Sequence, residues 1–113
     1  KYIFSKMKNG IELIAEERQR QITEEGWTKK HDLEHTHGEL ASAAACYAMS
    51  EDDRKRMTAI SVRKVDGTVV HYPMIWPWEE TWWKPAKNNR IKDLVRAGAL
   101  IVAEIDRLNA LNN

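Results

Sequence analysis

The sequence predicts a mainly α fold: a three-helix bundle with a β-hairpin and a tryptophan-rich loop inserted between the second and third helices. Three observations predict it. Ile91, Leu94, Val95, Gly98, Ile101, Val102, Ile105 and Leu108 recur at the three-and-four spacing of one helix face. Residues 33–49 are dominated by alanine, the strongest helix former. Between these segments, residues 59–72 alternate β-branched and polar side chains around Asp66-Gly67, which predicts a hairpin with a two-residue turn. A chain of 113 residues is enough for one domain, 1–113.

Each element has a local justification. Asn9-Gly10 reads as a turn, and Ile11 to Glu25 as a first helix stopped by Gly26. Its apolar stripe of Ile11, Ile14, Ala15 and Ile22 is thin. Arg18 and Glu25 project close to the centre of that stripe and Gln21 close to its edge, while Glu17, Gln21 and Glu24 form a second line. Trp27 to Lys30 is a connector. The second helix has two competing caps. Asp32 would place His35 in the first turn; Thr36 would close a capping box with Glu39. A helix continuous from about Asp32 puts His31, His35, Glu39, Ser42 and Cys46 along one face. Ser50 to Asp53 reads as a charged loop. Pro73 to Pro85 is an aromatic loop, because Pro77 and Pro85 break any long helix there. The third helix runs from about Arg90 to Leu111, capped by Asn88 or Asn89, with Asp93, Ala97, Leu100 and Glu104 along one edge of its apolar face.

Composition narrows the function classes. The 18 basic and 17 acidic residues nearly cancel, whereas a phosphate-backbone binder shows a basic excess, so no stable nucleic-acid binding is expected. No apolar run reaches the ~20 residues of a membrane span. One cysteine permits neither an intrachain disulfide nor a cysteine zinc cluster, and a reducing, cytoplasmic setting is the expectation.

The chemistry-bearing residues fall into four groups. Glu17 and Glu24 of the first helix, Glu39 of the second and Asp93 or Glu104 of the third would repel one another if gathered, unless a cation sat between them. Magnesium, with oxygen ligands and substrate phosphates, satisfies that condition; solvation or pairing with Arg18, Arg20, Arg90 and Arg96 is the alternative. His31, Asp32 and His35 are open to a transition ion, or to a helix cap beside a substrate-facing imidazole. Trp76, Trp78, Trp82 and Trp83 offer faces for a base, or area for a small core, with at least two expected in the core. Lys84, Lys87 and Arg90 stand where an anion would meet the start of the third helix.

The ordered segments ERQRQITEEGWT, HDLEHTHGELASAAACYA, WPWEETWWKP and RIKDLVRAGALIVAEIDRL resemble a family of small phage and bacterial proteins related to the MazG-type all-alpha nucleoside triphosphate pyrophosphohydrolases. This family is often labelled dATP/dGTP diphosphohydrolase-like. The likeness covers roughly 16–48 and 76–108, with the hairpin as a variable insertion. It implies a single all-alpha hydrolase domain, a homodimer or higher oligomer, and magnesium-dependent (in the alternative manganese-dependent) hydrolysis of a (deoxy)nucleoside triphosphate to monophosphate and pyrophosphate. Carried onto this chain, Glu17, Glu24, Glu39 and Asp93 would hold the metal. Glu39 or His35 would orient water, and Gln21, Trp27, His31, Asp32, Lys84 and Arg90 would contact the nucleotide. The chain departs from the hallmark EExxE and ExxD pairs. Arg20 and Gln21 follow Glu16-Glu17 where a glutamate belongs, and Ser42 follows Glu39 where an aspartate belongs. Asp93, Glu24 or Glu25 would have to substitute. A nucleotide-binding protein without turnover and a protein-interaction module are the rival readings.

Overall fold

A long C-terminal helix, α5 (Arg90–Leu111), organises the chain, and the computed structural model describes residues 7–112 around it. The basic start at 1–6 lies outside the described residues. The chain runs through α1 (Gly10–Glu24), α2 (Lys29–Asp32), α3 (Glu39–Ala48), α4 (Glu51–Met57), β1 (Thr58–Arg63), β2 (Val69–Pro73), a 3₁₀ turn at Glu80–Trp82, and α5. The fold is mainly helical with one two-stranded antiparallel sheet. α1, α2 and α3 all pack on α5, while β2 lies beside α4.

Asn9 is the N-cap of α1: its side chain accepts from the Glu12 N–H, and Glu12 accepts from the Asn9 N–H. Gly26, at φ 73°, follows the end of the helix. The buried residues of α1 are Arg18 and Gln21, not the thin apolar stripe, and Ile11 remains largely exposed. Arg18 turns inward because it meets Asp32 at 2.8 Å in a buried ion pair and donates to the Trp27 carbonyl at 3.3 Å.

The expected helix over 33–49 is interrupted. α2 ends at Asp32, and α3 starts only at Glu39, after Gly38 in the left-handed region at φ 79°. Neither proposed cap acts. Asp32 is engaged by Arg18, and Glu39 accepts from the His37 N–H at 2.6 Å instead of closing a box with Thr36. The predicted polar line from His31 to Cys46 therefore does not share one helix face. The charged stretch after Ser50 is helix α4 and not a loop: the Ser50 hydroxyl accepts from the Asp53 N–H at 3.1 Å, and three acids are followed by three bases along the dipole. The hairpin turns through three residues, not two. Lys64 N–H donates to the Thr68 carbonyl, Gly67 N–H donates to the Lys64 carbonyl, and Gly67 takes φ 91°.

α5 spans the predicted residues, with the Asn89 side chain accepting from the Lys92 N–H. Its buried face is the one expected at the edge: Asp93, Ala97, Leu100, Ala103 and Arg107. The wider apolar face points outward, leaving Ile91, Leu94, Ile101, Ile105 and Leu108 exposed. The reason lies in side-chain size. Ala97 and Ala103 of α5 meet Ala43 and Ala44 of α3, so the two helices approach closely around Leu40 and Leu100. Gly98 plays the same part towards α1, since a Cβ there would fall 2.5 Å from Ile14 Cδ1. Tyr47, Trp76 and Trp83 complete the core, so two of the four clustered tryptophans are buried, as expected. Tyr47 lies edge-on to Trp76 at 5.7 Å and tilted to Trp83 at 4.9 Å.

Candidate functional site

The end of α3 is fixed by arginines from other elements. Arg54 donates to the Cys46 and Tyr47 carbonyls, and Arg90 donates to those of Tyr47, Ala48 and Met49. Asp93 joins this knot: it accepts from Arg54 at 3.0 Å and from the Ala86 N–H at 2.8 Å, with Arg96 at 3.6 Å. These contacts pin the tryptophan-rich segment over the helices. Between that segment and α1, α3 and α5 lies a cleft of about 550 Å³, a size suited to a small organic ligand.

The cleft has an aromatic wall and a polar wall. Trp27, His31, His35, Tyr47, Trp76, Trp78 and Trp82 form the first. Trp78 touches Trp27, His35 and Trp76 at centroid distances of 6.2, 5.5 and 5.4 Å, so it is held in place and keeps ring surface in the cleft. Glu17, Arg20 and Gln21 from α1 and Glu25 at its C-cap, with Glu79, Lys84 and Arg96, form the second. Arg20 grips Glu17 through two hydrogen bonds, at 2.8 and 2.9 Å, and reaches Glu25 at 3.0 Å. Burial pushes the Glu17 carboxyl up, but the Arg20 guanidinium and the Gln21 amide outweigh burial, and its pKa lies below the ordinary 4.5. The same two carboxylates raise the pKa of Arg20. Gln21 is 2% exposed and donates from Nε2 to Glu17 at 3.2 Å. A carboxylate only accepts, so this bond fixes the amide's orientation and leaves Gln21 Oε1 without a donor among the described residues.

Of the residues predicted from the sequence, Glu17, Gln21, Trp27, His31, His35 and Lys84 line this cleft. Glu24, Asp32, Glu39, Asp93 and Arg90 are not among its lining residues. Asp32 is taken up by Arg18, Asp93 by Arg54, Arg96 and the Ala86 amide, and Arg90 by the end of α3. Glu24 is exposed on α1. Burial pushes the Glu39 carboxyl up; its own N–H, that of His37 and the His35 ring outweigh this and hold it below its ordinary range. Among the described residues, no three His, Cys, Asp or Glu side chains are placed to hold a metal ion together. Sequence reasoning missed Tyr47 and Arg96 as cleft residues. The signal was available for both: Tyr47 follows Leu40 by seven positions on α3, and Arg96 precedes Leu100 by four on α5.

Comparison with family models, curated proteins and solved structures gave no match for this chain, so the MazG likeness stands on the quoted segments alone.

Proposed function

We propose that the cleft binds a nucleotide, with its base among the tryptophans and its phosphates towards Lys84 and Arg96. The aromatic wall of the cleft carries this reading. Trp27, Trp78 and Trp82 supply ring faces on which a base stacks, each such contact contributing about 1–3 kcal/mol. Lys84 and Arg96 supply positive charge at the same rim.

Magnesium-dependent hydrolysis of the same ligand is the further step that the family resemblance implies. Magnesium needs free oxygen donors in near-octahedral geometry. Of the expected acids Glu17, Glu24, Glu25, Glu39 and Asp93, Glu17 and Glu25 line the cleft, with Glu79 beside them; Arg20 already holds both oxygens of Glu17 and one of Glu25. Held by Arg20 in this way, Glu17 and Glu25 are poor donors for magnesium. One experiment separates the two readings: titrate nucleoside triphosphates and deoxynucleoside triphosphates, with and without magnesium, following tryptophan fluorescence and pyrophosphate release. Quenching with the nucleotide recovered intact supports binding alone, and quenching with pyrophosphate release restores the hydrolase. The absence of both across the panel sinks the nucleotide reading and leaves a protein-interaction module.

The chain is further proposed to pair with a second copy of itself through the outer face of α5. Ile91, Leu94, Ile101, Ile105 and Leu108 lie on that face at the alternating three-and-four spacing of two-stranded helical interfaces. The radius of gyration, 15.8 Å, exceeds the about 13 Å of a self-contained globule of this length.

A further inference from the structure

The donor pair that the cleft does offer to a cation is nitrogen. His31 and His35 stand four residues apart, their ring centroids 4.8 Å apart, and their Nε2 atoms face each other at 3.5 Å. Each ring is oriented from behind. His31 Nδ1 lies 3.1 Å from Asp32 Oδ1, and that carboxylate is held by Arg18 from α1. His35 Nδ1 lies 3.5 Å from Glu39 Oε2. With Nδ1 of each ring turned towards a carboxylate, Nε2 is the nitrogen each ring has left to offer a ligand at the cleft wall.

We propose that His31 and His35 bind one divalent ion of the imidazole-preferring kind (zinc, nickel or cobalt) through their Nε2 atoms, on the wall of the cleft. Two nitrogens on a tetrahedral zinc at about 2.05 Å lie roughly 3.3 Å apart, close to the separation already present. A carboxylate behind each ligating imidazole is the usual outer support. Trp27 stacks parallel to His31, within 3°, and Trp78 meets His35 edge-on at 5.5 Å, which limits the rings' freedom to turn away. With two protein ligands, the other coordination positions are left for water or for an oxygen of whatever occupies the cleft. The ion here is held by nitrogen and is distinct in kind from magnesium. The inference does not depend on the nucleotide reading.

The test uses the whole chain with metal salts alone and no nucleotide. Nickel and zinc chloride are titrated by calorimetry, and cobalt by its visible absorption. The wild type is expected to bind one ion per chain. His31→Ala and His35→Ala should each weaken binding at least tenfold. His37→Ala and His71→Ala, which alter the remaining histidines, should leave it unchanged. His35→Gln, close to histidine in size, should also lose the ion while melting like the wild type in metal-free buffer. Wild-type affinity in either His31→Ala or His35→Ala, or no saturation by any of the three metals below millimolar concentration, overturns the proposal.

Discussion

Asp93 is a buried acid with two jobs, ion pairing and loop anchoring. Its carboxylate meets Arg54, Arg96 and the Ala86 amide, so its removal takes away a buried anion that serves two arginines and the loop together. Asp93→Ala is expected to cost about 3–5 kcal/mol in urea unfolding, the range for breaking a buried pair. A loss under 1 kcal/mol would contradict the role given to it. Glu17 makes a prediction in pH. Its folded pKa is lowered, so its contribution to stability is complete above the ordinary value of 4.5 and disappears as pH falls through the lower folded value. The stability gap between the wild type and Glu17→Gln should therefore be widest above pH 4.5 and close in more acidic buffer. A gap that widens with acidification would reverse the assignment. Sequence spacing identified Glu17 and Gln21 as polar residues in need of partners. It named Arg96 as a possible partner for Asp93 but not Arg54, which comes from α4, thirty-nine residues away along the chain.

At the scale of the elements, local chemistry was readable wherever the decisive contacts are local. α5 begins and ends as its cap and periodicity require, and Asn89→Ala is expected to cost about 1 kcal/mol of stability. α4 is equally legible in principle, since Ser50, the acids and the following bases carry a helix-start signature, but no buried apolar stripe marks it in the sequence. Ser50→Ala should likewise cost about 0.5–2 kcal/mol, with loss of helical circular dichroism confined to one short segment. The interruption between α2 and α3 was not legible. It depends on Arg18, fourteen residues away from Asp32 along the chain, and on Gly38 adopting a left-handed backbone. Without that break His31 and His35 would not be set against the tryptophans as they are. The hairpin was placed correctly in outline, and its turn was misread by one residue because Asp66-Gly67 also suits a three-residue loop.

For the whole molecule, burial and periodicity disagree in an informative way. The strongest apolar pattern in the sequence is the outer face of α5, and the chain buries the small-residue face instead. Periodicity reports that a face is apolar and cannot say whether this chain or another copy covers it. Ile101→Glu with Ile105→Glu should leave a folded chain and shift sedimentation from dimer to monomer; a wild type that sediments as a monomer at all concentrations would remove the self-association proposal. The cleft was half legible. Its α1 wall and its tryptophans follow from residue type, whereas convergence of acids from three helices depended on packing that places Asp93 and Glu39 elsewhere. The central claim remains that a nucleotide base enters between the tryptophans of the cleft. Calorimetric titration of the deoxynucleotide panel into the wild type and into Trp78→Ala tests it most directly. The account predicts saturable binding of at least one nucleotide, weakened at least fivefold by the substitution. Equal affinity in the two proteins, or heat that never saturates with any nucleotide, would contradict it.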